Sequence, residues 1–278
     1  MTLILMTTLA GGCNSLFYHP DDVLYATPDT YGIAFEPRSI PTEDGFRLAS
    51  WVLKPQGLVK GTLLHFHGNA QNMTAHFLFV HWLTQAGYRV VVFDYRGYGQ
   101  SAGTADRDGL VRDGRAMVRD VCTRPEFKDG PIIVFGQSLG GAVAVPALAT
   151  VPDSCVKALI LESTFASYRG MARTKLGAFW PTWPLQFPLS FLVSNGMNAV
   201  DHINQLKVPL LMIHGSRDPV VPNSQGRALF DAYNSGAKEW WEVPNGGHTP
   251  AFGDDTSPWK AKLVDWLAKF AAQGPELK

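Results

Sequence analysis

An excess of charge of either sign is missing from this 278-residue chain: 24 Lys and Arg are matched by 24 Asp and Glu. Without a basic excess there is no electrostatic footprint for phosphate backbones, so no nucleic-acid partner is expected. Cysteine is scarce, with only Cys13, Cys122 and Cys155, too few for a fold built on disulfides. Internal repeats and low-complexity tracts are absent, and no apolar run reaches the roughly 20 residues that a membrane-crossing helix needs. What is abundant is apolar material. At 46% hydrophobic residues the chain can bury a large core, and nothing in the composition suggests disorder.

Residues 1–12 are nearly uncharged, with Leu3, Ile4, Leu5, Met6 and Leu9 leading into Ala10-Gly11-Gly12-Cys13. An apolar stretch followed by small residues reads as a secretory signal. It resembles bacterial lipoprotein signals, whose small residues precede a cysteine that becomes the lipidated first residue. No Lys or Arg precedes the run, and Ala10 stands where Leu is usual. The resemblance implies a signal peptide over 1–12, a lipid anchor on Cys13 and a membrane-anchored, periplasm-facing protein. The alternative is an apolar segment packed on a cytoplasmic domain. With Cys13 lipidated, Cys122 and Cys155 remain as a pair, either bonded or buried as free thiols.

Residues 13–34, rich in Tyr, Asp and Pro, read as a linker or wrapping arm. A hairpin follows, with strands over 35–41 and 46–54 around Glu43-Asp44-Gly45. Short apolar runs at 61–67, 88–94, 131–136, 156–162, 209–214 and 239–243 then alternate with helix-period segments at 72–85, 106–122, 139–150, 223–233 and 259–272. Nearly continuous Val, Ile, Leu and Phe suit parallel strands buried on both faces. The alternation predicts an α/β domain over 35–278: a doubly wound, mostly parallel sheet with helices on both faces. One connection breaks the rhythm. The stretch of about 165–205, rich in Pro and aromatics, is long enough to be a lid, with Phe165, Tyr168, Trp180 and Trp183 as candidate substrate contacts. Extra packing at the sheet edge would use the same residues.

Chemistry concentrates at Gly136-Gln137-Ser138-Leu139-Gly140, a G-x-S-x-G elbow directly after a strand and before a helix. A serine in so tight a turn is lifted above the sheet, and crowding admits only small neighbours. Pro146 should kink or end the following helix. A serine nucleophile needs a base and a carboxylate that orients it. In chain order Asp218 and His248 follow Ser138, each just beyond a strand end and on the sheet edge where open α/β sheets place their sites. Glu162, at another strand end, is a rival acid; His214 should pack or bond locally, and Asp94 precedes the turn Tyr95 to Ser101, which should support the site without doing chemistry. The oxyanion would be held by the N–H groups of Leu139 and of Asn69 in the His67-Gly68-Asn69-Ala70 turn. A zinc reading of His65 and His67 fails, because alternate strand residues point to opposite faces and no third ligand cluster follows.

The ordered elements Phe66-His67-Gly68-Asn69-Ala70, Asp94-Tyr95-Arg96-Gly97-Tyr98-Gly99-Gln100-Ser101, Gly136-Gln137-Ser138-Leu139-Gly140-Gly141, Leu161-Glu162-Ser163-Thr164-Phe165, His214-Gly215 with Asp218, and Gly247-His248 resemble the Bem-type α/β-hydrolases, often grouped with serine aminopeptidase-like hydrolases. Phe17-Tyr18-His19-Pro20 matches a segment common in bacterial members. The resemblance implies the α/β-hydrolase fold, a triad on Ser138, Asp218 and His248, no cofactor, and ester or thioester hydrolysis; a small-molecule or acylated substrate, no metal and a monomer are the accompanying expectations. Peptidase activity and a non-catalytic binding role on the same scaffold are the competing expectations.

Overall fold

The computed structural model describes residues 18–271 apart from 152, 153, 179, 180 and 195. The signal and lipid-anchor readings at 1–13, and Trp180, lie outside the described residues. One sheet organises the chain. Its strands are β1 (Phe35–Pro41), β2 (Arg47–Leu53), β3 (Gly61–Phe66), β4 (Tyr88–Phe93), β5 (Ile132–Gln137), β6 (Val156–Glu162), β7 (Leu210–Gly215) and β8 (Lys238–Val243). They lie in the order β8-β7-β6-β5-β3-β4-β2-β1, parallel from β8 through β4, with the β1–β2 hairpin antiparallel at one edge. Pro37 and Pro41 sit in β1, where an open edge tolerates a missing N–H. Every residue of β3, β5 and β7 is buried, as sheets covered on both faces require.

Alternate strand residues feed two cores. Leu64, Val134, Leu159 and Met212 face one layer, while Leu63, Ile133, Ile160 and Leu211 face the other. The first layer packs α2 (Arg107–Thr123), α3 (Leu139–Ala149) and α7 (Asn223–Ala232); the second packs α8 (Pro258–Ala271). Asp106 caps α2, its carboxylate accepting the Gly109 N–H at 2.9 Å. Helix α3 is Gly or apolar at every other position around Pro146 and buried along almost its whole length, and it continues past the proline to Ala149. The expected helix over 72–85 forms only its first turn, α1 (Met73–His76), before giving way to 3₁₀ turns at Phe77–Phe79 and His81–Thr84. The reason is spacing. Phe77, Val80 and Leu83 are all buried and recur every third residue, which a three-residue turn aligns on one side.

The insertion after β6 is helical in pieces: α4 (Tyr168–Ala178), α5 (Gln186–Ser190) and α6 (Ala199–His202). Cys122 at the end of α2 is disulfide-bonded to Cys155 before β6, with Cα atoms 5.5 Å apart. In the described part of the N-terminal segment, His19–Pro20 pairs parallel with Ala70–Gln71, and Asn72 Nδ2 donates to Asp21 Oδ1 and to the Val23 carbonyl, both at 2.8 Å. Among the described residues no helix is long and apolar enough to cross a membrane.

Candidate active site

Strand β5 ends at Gln137, and Ser138 takes φ +53° and ψ −117° before α3 begins. Few L-residues occupy that region, and surrounding packing must hold one there. The packing is visible at the glycines. A Cβ on Gly140 would overlap the Phe66 carbonyl oxygen, and one on Gly136 would come within 2.7 Å of Gly141 Cα. The spacing of the motif is thus a record of close backbone approach. The Ser138 N–H donates to the Glu162 carbonyl at 2.9 Å, and Thr164 Oγ1 donates to the Ser138 carbonyl at 2.7 Å.

Beyond β7 and β8, Asp218 and His248 meet: Asp218 Oδ2 lies 2.8 Å from His248 Nδ1. The other carboxylate oxygen accepts from Val220 and Val221 N–H at 2.8 and 2.9 Å. Burial would raise the Asp218 pKa, but the His248 bond and the Val221 amide outweigh it and hold the carboxyl below its usual range. An ionised carboxylate only accepts, so His248 Nδ1 carries the hydrogen and Nε2 is left as the basic nitrogen. Among the described residues no hydrogen bond joins the Ser138 hydroxyl to this imidazole; such contacts commonly tighten only with substrate in place.

Leu139 opens α3, so its N–H has no helical partner one turn earlier. Opposite stands the Gly68 turn, where a Cβ would sit 3.8 Å from Ser138 Cβ and 3.1 Å from His76 Cε1. The Asn69 side chain is turned to the arm, with Oδ1 accepting from His19 N–H at 3.2 Å and from the Tyr98 hydroxyl at 2.9 Å. His65 and His67 diverge: His65 Nε2 lies 2.7 Å from Gln137 Oε1, and His67 Nδ1 lies 2.8 Å from the Gly68 carbonyl. No cluster of metal-ligating side chains occurs among the described residues.

The profile of the serine aminopeptidase S33 family matches residues 57–195 and 184–255. The chain belongs to that family. It is 31% identical over 259 residues to the protein YfhR of Escherichia coli (strain K12), covering 91% of this chain and 86% of that one. It is 30% identical over 233 residues to the protein bem46 of Schizosaccharomyces pombe, covering 80% and 73%. Among solved structures it is similar to the Pyrococcus furiosus esterase Pf2001, with a TM-score of 0.75, 25% identity, and coverage of 92% and 98%. The fold is that of the α/β-hydrolases, and the protein is a hydrolase.

In this S33-family hydrolase the rival residues sort by contact. His214 bonds locally, its Nε2 lying 2.9 Å from the Val221 carbonyl. Asp94 Oδ1 accepts from Met73 N–H at 2.6 Å and so supports the turn before α1. Glu162 bonds to Gln137 and Ala251, and among the described residues no hydrogen bond joins it to His248. The candidate lid residues divide. Phe165 and Tyr168 are buried in the core with rings 5.1 Å apart, whereas Trp183 is 61% exposed. Phe187, Phe191 and Leu192 are exposed beside it, and Arg173 lies over the Phe187 and Phe191 rings.

Proposed function

We propose that this hydrolase cleaves carboxylic esters or thioesters through an acyl-enzyme on Ser138. The observation that carries the proposal is the strained Ser138, held at the sheet edge on which the Asp218–His248 pair also stands. Ser138 Oγ attacks the carbonyl carbon while His248 Nε2 takes its proton. The Leu139 and Asn69 N–H groups receive the oxyanion, and Asp218 stabilises the imidazolium. His248 then gives the proton to the departing alkoxide or thiolate, and water repeats the cycle on the acyl-enzyme. Exposed Trp183, Phe187 and Phe191 in the lid support an apolar acyl group. No cofactor enters this reaction, and a monomer suffices for it.

The family's name invites a peptidase reading, which finds less support. Holding a free substrate amine calls for a carboxylate cluster in the lid, yet over residues 165–205 the chain carries Arg169, Arg173 and Lys175 against the single acid Asp201, whose carboxylate accepts from Asn198 Nδ2 at 2.8 Å. Ser138→Ala should lower kcat on p-nitrophenyl esters by about 10⁴-fold or more with the circular dichroism spectrum unchanged. Substantial remaining turnover would put the nucleophile elsewhere. Envelope location through a lipid on Cys13 is part of the same proposal; the Cys122–Cys155 disulfide supports it.

A further inference from the structure

Glu162 is fully buried and takes no part in the acyl transfer above. It ends β6, and both of its carboxyl oxygens are occupied. Oε2 accepts from Gln137 Nε2 at 2.7 Å, and Oε1 accepts from the Ala251 N–H at 2.9 Å. Gln137 immediately precedes Ser138; Ala251 lies just beyond His248. Since the Gln137 amide nitrogen faces the carboxylate, its oxygen is the acceptor for His65, whose Nε2 therefore carries hydrogen. Backbone links run beside this chain: Ser138 N–H to the Glu162 carbonyl at 2.9 Å, and Thr249 N–H to Ser163 Oγ at 3.0 Å. Ser138, Ser163 and Thr249, each adjacent to one of these groups, all hold left-handed backbones with φ of +53°, +51° and +47°. Three residues with left-handed backbone thus lie within two positions of the groups that meet at Glu162.

We propose that Glu162 is a positioning residue whose ionised carboxylate ties the turn carrying Ser138 to the loop carrying His248, an inference that rests on the acyl-enzyme reading. Both of its neighbours are donors. A carboxylate accepts from both, whereas a carboxylic acid must turn an O–H toward a donor and gives up one bond. The charged and titratable groups around it are His248 in the loop after β8, Asp218 in the loop after β7 and, beyond Gln137, His65 on β3. Burial keeps His65 neutral, its pKa well below the ordinary value. Burial also pushes the Glu162 carboxyl up to about 7, against the pull of the Ala251 amide, the Gln137 amide and His248, while Asp218 adds to the rise. Its ionisation thus falls in the range where a histidine base also loses its proton.

Full activity then requires two deprotonations on the acid side. The test is a set of pH profiles of kcat/KM on p-nitrophenyl butyrate between about pH 5 and 8, for wild type, Glu162→Gln, Ser138→Ala and His248→Ala, each shown folded by circular dichroism. Wild type should lose log(kcat/KM) with a slope approaching two on the acid limb, and Glu162→Gln with a slope of one. The Gln variant should also lose about 10- to 100-fold in kcat with little change in KM, as expected for a displaced base. A wild-type slope of one, or a Glu162→Gln profile that matches wild type, overturns the inference. Should Glu162→Gln fail to fold, the wild-type slope decides. Turnover persisting in Ser138→Ala or His248→Ala overturns the acyl-enzyme reading instead, which keeps the two failures distinct.

Discussion

Three of the left-handed residues in this hydrolase are gathered at its candidate site, and they are serine or threonine, with no compensating freedom of glycine. Left-handed backbone costs an L-residue about 1–2 kcal/mol, most for a β-branched one such as Thr249 at φ +47°. Strain of this kind persists where neighbouring contacts over-determine the geometry, here the Thr249–Ser163 and Ala251–Glu162 bonds. Thr249→Gly should therefore raise unfolding stability by about 1 kcal/mol, less what glycine gives back through unfolded-state entropy, and lower kcat by loosening His248. Urea unfolding checks the first part, and a midpoint that falls would mean that the strain is not where the backbone angles put it. Such a trade is invisible in sequence. Ser138, Asp218 and His248 are legible there as candidates because a local motif and a chain order mark them. Glu162 was legible only as a spare acid at a strand end. Its partners lie 25 and 89 positions away, and only the register of β5 beside β6 and the path of the loop after β8 bring them to it.

The strands, at the scale of elements, could be read to within about a residue, since β3 through β7 are apolar runs whose every face is covered and no competing pattern intrudes. Met73–Thr84 was misjudged because burial at Met73, Phe77, Val80 and Leu83 satisfies a helical period at its start and a threefold one after it. The aromatics of the insertion after β6 carry two roles: Phe165 and Tyr168 pack inward while Trp183 and Phe187 face outward. Composition alone does not separate these. The Cys122–Cys155 bond was left open for the same reason, as bonded and buried cysteines look alike in sequence. It clamps α2 to β6 across 33 residues, a loop whose closure in the unfolded chain is worth about 3–4 kcal/mol. Reductant should lower the unfolding free energy by that order. Because cytosolic thiols stay reduced, protein taken from its native host should show the bond by non-reducing mass spectrometry and lack Met1. Free thiols together with a retained Met1 would end the proposal of an envelope location.

At the scale of the whole molecule, among the described residues, the histidines whose pKa burial lowers outnumber the acids whose pKa burial raises, Glu162 and Asp113, and this shapes the pH dependence of the fold. His65, His76 and His214 are built alike. Each Nε2 meets an acceptor: Gln137 Oε1, the Ala70 carbonyl and the Val221 carbonyl. Each Nδ1 is buried without a hydrogen-bond partner. Protonation would create a buried, unpaired N–H, so desolvation lowers all three pKa values, that of His76 to about 3. A lowered folded pKa contributes stability that is complete above the unfolded value near 6.5 and is lost as pH falls below it. Glu162 acts in the opposite sense. Its carboxyl, raised to about 7, contributes stability below about pH 4.5 that is lost as pH climbs toward 7. Between pH 7 and 5 these imidazoles, joined by half-buried His81, whose pKa burial also lowers, thus weaken the fold, while Glu162 strengthens it and Asp113, also raised by burial, acts in the same sense as Glu162. The thermal midpoint of wild type should fall over that interval. Glu162→Gln removes the Glu162 contribution, which opposes the imidazoles, so its midpoint should fall more steeply than that of wild type. Melts at matched ionic strength across pH 5 to 7.5 measure both slopes. A wild-type midpoint that rises toward pH 5 would mean that these imidazoles are not held neutral by burial.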